Sequence, residues 1–156
     1  MNIGTYAMPH RDDWDPHAHP SHYFSRIGRA LTRIGDARLR AVGLATAQLP
    51  VLSMLSGGRQ LSQTELARRA KVEQPSMAQL LIRMERDGLI RRDLDPSDKR
   101  SSLVMLTEEA ERRLPAGREV ILHSNADLTR GLSAAEIRAL LDLLGRVLHN
   151  VDQIED

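Results

Sequence analysis

Cysteine is absent from the 156 residues, which excludes disulfides, thiolate catalysis, cysteine-ligated zinc and thiol redox sensing. Aromatic residues make up only 3%, so any core must be built from Leu, Ile, Val, Met and Ala. No stretch approaches the roughly 18 consecutive apolar residues of a membrane helix, so no membrane partner is expected. The N-terminus lacks the basic start and apolar run of an export signal, which makes a cytoplasmic location the expectation. There is no phosphate-cradling glycine loop, no His-Glu-x-x-His and no serine elbow, so neither an enzyme nor a cofactor is indicated. Lysine is nearly missing too. Of the 22 basic residues all but Lys71 and Lys99 are arginine. The guanidinium suits bidentate contacts to phosphate and base edges, although a genome-wide arginine preference produces the same bias.

What is present divides unevenly. The formal net charge is +1, but residues 59–100 hold 10 basic and 7 acidic side chains, and residues 101–156 hold 6 and 10. The middle of the chain is therefore the expected meeting place for a polyanion. Residues 1–21 read as an extended arm with Pro9, Pro16 and Pro20. This arm and its edge carry His10, Asp15, His17, His19 and His22, the one cluster of metal-ligating type. No fixed geometry is evident there, so no metal is assigned.

From His22 the apolar spacing becomes helical. Phe24, Ile27, Leu31 and Ile34 form one stripe, and Gly28 and Gly35 suggest close packing against another helix. A second helix is predicted from near Thr46 to Gly57-Gly58, with Pro50 tolerable in its first turn. Ser62-Gln63-Thr64-Glu65 matches a capping box and opens a short third helix ending by Lys71. Pro75 sits where a fourth begins. Its buried stripe is Met77, Leu80, Leu81 and Met84, its polar side holds Ser76, Gln79, Arg83 and Arg86, and Gly88 stops it.

After Gly88 the period shortens. Leu89 to Arg92 and Ser102 to Leu106 are predicted as a hairpin around the polar turn 93–100. Thr107 followed by Glu108 and Glu109 starts another helix, which Pro115 is expected to interrupt or kink. Ser133 to Glu136 is a further capping box. It opens a helix bearing Ile137, Leu140, Leu141, Leu144, Val147, Leu148, Val151 and Ile154.

Helix, turn, helix, hairpin is the order of a winged helix-turn-helix, in a mainly α fold with a small antiparallel β-hairpin. In such a unit the second helix enters the major groove of duplex DNA. Its candidate readers here are Gln74, Ser76, Gln79, Arg83 and Arg86: glutamine matches adenine, arginine matches guanine, and either arginine also suits phosphate. In the wing, Arg100 is placed in the minor groove with Asp98 orienting it, while Arg91, Arg92 and Lys99 suit phosphates. Each piece has an ordinary counterpart. Paired short helices occur in many all-α proteins, Arg91-Arg92 fits a solvated strand, and Arg100 fits a turn cap. A helical protein-interaction or antitoxin-like module with weak DNA binding is the competing class.

Three segments resemble the MarR family, the multiple-antibiotic-resistance-type regulators: Leu61-Ser62-Gln63-Thr64-Glu65-Leu66-Ala67, Met84-Glu85-Arg86-Asp87-Gly88-Leu89-Ile90, and Asp95-Pro96-Ser97-Asp98-Lys99-Arg100 followed by Leu106-Thr107. The resemblance implies one domain over 22–151 with a winged core over 46–106, dimerisation helices over 22–42 and 107–151, and a tail over 152–156. It implies a homodimer in which Phe24, Ile27, Leu31 and Ile34 pack with Ile137, Leu140, Leu141, Leu144, Leu148 and Val151, partly across subunits. It also implies a repressor on an inverted repeat, released by a small aromatic effector. Trp14, Tyr23, Phe24, Arg26 and Met54 are candidate contacts for that effector, although Phe24 and Met54 read more readily as packing residues and Trp14 as an anchor for the arm.

Overall fold

A computed structural model describes residues 15–94 and 102–155. After a short 3-10 turn at Pro16–Ala18, helix α1 runs Pro20–Leu39 and passes into a second 3-10 turn, Arg40–Val42. A third, Thr46–Gln48, leads into α2, Leu49–Leu55, whose first turn contains Pro50. Strand β1 (Leu61–Ser62) is followed by α3 (Gln63–Ala70), α4 (Gln74–Arg86), β2 (Ile90–Leu94) and β3 (Ser102–Leu106). Helices α5 (Glu108–Leu128) and α6 (Ala134–Glu155) complete the chain. The fold is mainly helical with a small antiparallel sheet in the order β1-β3-β2.

Local chemistry explains most of the boundaries. Three helical segments end on the same device, in which a left-handed residue lets its own N–H and the next one turn back to free carbonyls. Gly43 does this after the first segment, where the Leu44 N–H donates to the Leu39 carbonyl at 3.1 Å. Gly88 does it after α4, where Leu89 donates to Met84 at 2.8 Å. Lys71 does it after α3, with φ of 50° and the Val72 N–H donating to Ala67 at 3.0 Å. At the other ends, Ser62 Oγ accepts from the Glu65 N–H, Thr107 Oγ1 from Ala110 and Ser133 Oγ from Glu136. The last of these is reciprocated by Glu136, whose carboxylate accepts from the Ser133 N–H at 2.7 Å.

The core lies inside the winged unit. Leu39 and Leu44 meet Val51, Leu52 and Leu55 of α2, Leu66 of α3, Met77, Leu81 and Met84 of α4, Leu89, Ile90 and Val104 of the sheet, and Ala110 and Leu114 of α5. At about 1.5–3 kcal/mol for each fully buried large apolar side chain, this cluster dominates the packing energy.

Four expectations need correction. Helix α5 is continuous through Pro115. Pro115 and Glu111, the residue whose carbonyl it leaves without an amide partner, are both exposed, whereas Ala110, Leu114 and Gly117 are buried. Packing of that inner face overrides the break, and water can reach the outer carbonyl. Second, the hairpin is part of a three-stranded sheet, because Leu61 and Ser62 pair with Val104 and Leu103. Its first strand begins at Ile90 and continues through Asp93 and Leu94, two residues read as turn. Third, Gly35 is closely packed, since a Cβ there would lie 2.7 Å from Thr46 Oγ1, but Gly28 faces open space. Fourth, the capping box at Ser62 is realised only on the serine side, because the Glu65 carboxylate is taken by arginines.

Candidate nucleic-acid interface

Positions 77, 81 and 84 of α4 point into the core. The opposite stripe, at spacings of four, three and four, is Pro75, Gln79, Ile82 and Arg86, flanked by Ser76 and Arg83. All six are exposed, as is Gln74 in the first turn. The side chains of Gln74, Ser76, Gln79 and Arg83 make no hydrogen bond or ion pair with another described residue. Arg86 is held by its neighbour Asp87, at 2.9 Å. Ser76, Gln79, Arg83 and Arg86 thus lie on the outward side, with Gln74 at the N-terminal end, on a helix that three buried side chains fix to the core. Its placement depends on Pro75 pre-setting the first turn and Gly88 closing the last.

Helix α3 packs on α4 across the turn at Lys71 to Glu73. Between them lies an open cleft lined by Thr64, Arg68, Lys71, Val72, Glu73 and Gln74. Glu65 organises the basic side of this region. Its carboxylate accepts from Arg68 Nη2 at 2.7 Å and Nε at 3.0 Å, and from Arg69 Nε at 2.6 Å. Hydrogen bonds from Arg68, then Arg69, lower the Glu65 pKa from the ordinary 4.5 to about 2. Arg68, held by Glu65, lines the cleft with its side chain largely exposed. Arg68 is not among the sequence-predicted site residues; the Glu65–Arg68 spacing, which also fits a capping box, is the signal that points to it.

In the wing, strand alternation separates the two arginines. Arg91 is exposed and paired with Asp93. Arg92 is half-buried and turns toward α4 and α3, where it meets Glu85 Oε2 at 3.3 Å and Gln63 Oε1 at 3.5 Å. Asp98, Lys99 and Arg100 lie outside the described residues.

A MarR family model matches residues 42–101, the stretch that contains α2, β1, the helix pair and most of the hairpin. Around this matched segment the whole fold is similar to that of the transcriptional regulator SlyA, with 28% identity, a TM-score of 0.77, and coverage of 85% of this chain and 94% of that chain. It is also similar to the transcriptional repressor CouR bound to a 23-mer DNA duplex, with 26% identity, a TM-score of 0.76, and coverage of 85% and 94%. A mutant MarR from E. coli complexed with operator DNA shares the fold at 24% identity, with a TM-score of 0.75 and coverage of 82% and 92%.

Two further regions bear on the other expectations. The stripes on α1 and α6 do not cover each other within the chain. Phe24, Ile27, Leu31 and Ile34 are exposed, as are Leu140, Leu144 and Val151, while Leu141 and Leu148 are 62% and 61% exposed. Ile137 is half-buried. The described residues among the expected effector contacts lie on two different helices. Tyr23, Phe24 and Arg26 lie on exposed α1, Met54 is half-buried in α2 against the core, and Trp14 lies outside the described residues. The apolar cavity sits elsewhere, between α2 and α5. It has about 400 Å³, walls of Leu44, Leu49, Leu52, Leu114, Ile121 and Leu122, and Ser53 and Arg118 at its lining. Gly117 opens it: a Cβ there would lie 2.8 Å from Leu44 Cδ1.

His17 and His22 meet edge to face with ring centroids 4.7 Å apart. Among the described residues no three His, Asp or Glu side chains gather in a way that could hold a metal ion, and no helix is long and apolar enough to cross a membrane.

Proposed function

We propose that this chain is a transcriptional repressor that binds duplex DNA sequence-specifically, as a homodimer on an inverted repeat. The observation that carries the reading is the outward face of α4. It presents Ser76, Gln79 and Arg83, with Gln74 at the N-terminal end, without partners among the described residues, on a helix rigidly seated on the core. Hydrogen-bonding side chains so placed are matched to base edges in a major groove, and α3 with Arg68 lies where a first helix crosses the phosphates. The similarity to CouR, a repressor bound to DNA, supports the same reading. Arg100 is the proposed minor-groove contact, with Asp98 orienting it and Lys99 and Arg91 on phosphates; Arg92, held by Glu85, positions the strand against α4.

Dimerisation follows from the uncovered stripes of α1 and α6. Two copies that bury them against each other remove both from water and present two reading helices related by a two-fold axis, which calls for an inverted repeat. The cavity between α2 and α5 is the place for a small aromatic effector. Its apolar walls suit a ring, and Arg118 suits a carboxylate or phenolate. A ligand there would push on α2, which packs directly on α3.

Selection of duplex sites from a random pool by the purified protein tests the assignment. Enrichment of an inverted repeat, erased by Arg83→Ala, is the expected result. Recovery of no common sequence would remove the regulator reading in favour of a protein-interaction module.

A further inference from the structure

Ile82 stands out on α4 because nothing among the described residues accounts for its position. It is 58% exposed, the one large aliphatic side chain of this helix that is exposed, and it lies opposite the buried stripe of Met77, Leu81 and Met84. Isolated exposed aliphatics are ordinary on protein surfaces. This one occupies the centre of the outward stripe, three residues after Gln79, four before Arg86 and beside Arg83. The core cannot claim it, and every neighbour on the stripe toward the C-terminus is polar.

We infer that Ile82 is a specificity-determining contact that packs on the C5-methyl of a thymine in the operator half-site. The inference rests on the duplex-DNA reading above. Thymine carries the one apolar group that base edges display in the major groove, and aliphatic side chains are its complement. Along the helix axis Ile82 lies about 4.5 Å beyond Gln79. The thymine therefore falls within a base-pair step or two of the base that Gln79 reads. Covering a methyl group by a methyl group removes apolar surface from water on both sides, so the contact discriminates thymine from cytosine without a hydrogen bond.

The test uses the full-length protein and the duplex recovered by site selection. Each thymine is replaced singly by deoxyuridine, which pairs identically but lacks the methyl, and affinity is measured for the wild type, Ile82→Ala and Ile82→Thr. One thymine per half-site should then cost the wild type about fourfold, the worth of one buried methyl. The same replacement should cost Ile82→Ala nothing. Ile82→Ala should also lose preference at that position alone when selection is repeated. Because the deoxyuridine series on the wild type needs no variant, the result stands even if a substitution lowers stability. The inference is overturned if the wild type tolerates deoxyuridine at every position, or if Ile82→Ala stays as sensitive as the wild type. In either case an enriched half-site that Gln79→Ala or Arg83→Ala erases leaves the DNA reading intact. Absence of any enriched site would instead bring down the DNA reading itself, and this contact with it.

Discussion

Glu65 shows how one side chain can serve a different purpose from the one its spacing suggests. Ser-x-x-Glu predicts that the carboxylate reaches back to an amide, but Arg68 and Arg69 stand three and four residues on. Charge-assisted bonds to two guanidinium groups outcompete one neutral N–H. Because those bonds lower the Glu65 pKa from 4.5 to about 2, the sign is that of a depressed acid. Its contribution to stability is complete above the unfolded value and is lost as pH falls from about 4.5 toward 2. Acid unfolding of Glu65→Gln should therefore show a shallower pH dependence in that window than the wild type. An unchanged profile would mean the three bonds do not persist in solution. Gly43 supplies a second residue-scale prediction. Its φ of +69° disfavours a side chain, and a Cβ would lie 2.6 Å from Arg113 Nη1, which donates to the Gly43 carbonyl at 3.0 Å. Gly43→Ala should lower the unfolding free energy by about 1–2 kcal/mol for the left-handed backbone alone, readable as a shifted urea midpoint.

Among the elements, α5 and α4 illustrate opposite balances between local preference and packing. A proline in mid-helix normally costs about 3 kcal/mol, yet α5 continues because three of its residues on the other side are buried against the core. Pro115→Ala restores the missing donor without touching that buried face. It should raise thermal stability, by less than the full propensity difference because proline also restricts the unfolded chain; a fall in melting temperature would show that the proline is required. In α4 the local signals and the packing agree, so its start, stop and buried face were all readable from Pro75, Gly88 and the apolar spacing. The wing was readable in part. Strand alternation turns Arg91 and Arg92 to opposite faces, but only the structure shows that Arg92 is the one turned to Glu85. The cavity was not legible at all, because Leu44, Leu49, Leu114 and Ile121 meet through contacts distant in sequence. An aromatic composition near the N-terminus pointed instead to α1.

For the whole molecule the decisive quantity is the apolar surface left uncovered by a single chain. Helix α1 is tied to α5 by Arg38, which bonds Ser124 Oγ at 3.0 Å and Asp127 Oδ2 at 2.6 Å. Helix α6 reaches back to the helix-turn-helix through an ion pair of Asp152 with Lys71 at 2.5 Å. Between these ties the aliphatic stripes stay open. The double variant Leu144→Arg with Leu148→Arg should sediment as a monomer, lose the concentration dependence of its melting temperature, and keep the helical content of the winged unit. A variant that still sediments as the wild type would place the dimer contacts elsewhere. In intact operator binding, phosphate contacts by arginines of both subunits should make the affinity fall steeply and linearly with salt on logarithmic axes. Arg68→Ala should flatten that slope by about one unit without changing the selected sequence.

The linear chain determined by itself what depends on neighbours a few residues apart. This includes the order of the helices and the hairpin, the caps at Ser62, Thr107 and Ser133, the glycine stop at 88, and the polar face of α4. These follow from helical and strand periodicity and from the bonding of helix-end amides, which short segments already specify. Tertiary structure alone decided which of two adjacent arginines faces the helices, that β1 joins the sheet, that α5 survives Pro115, and where the cavity lies. Each of those depends on which distant side chains compete for the same surface, charge or carbonyl, and no local pattern carries that information. Ile82 belongs to both accounts. Its spacing places it off the buried stripe, but only the assembled core shows that it stays exposed among the described residues.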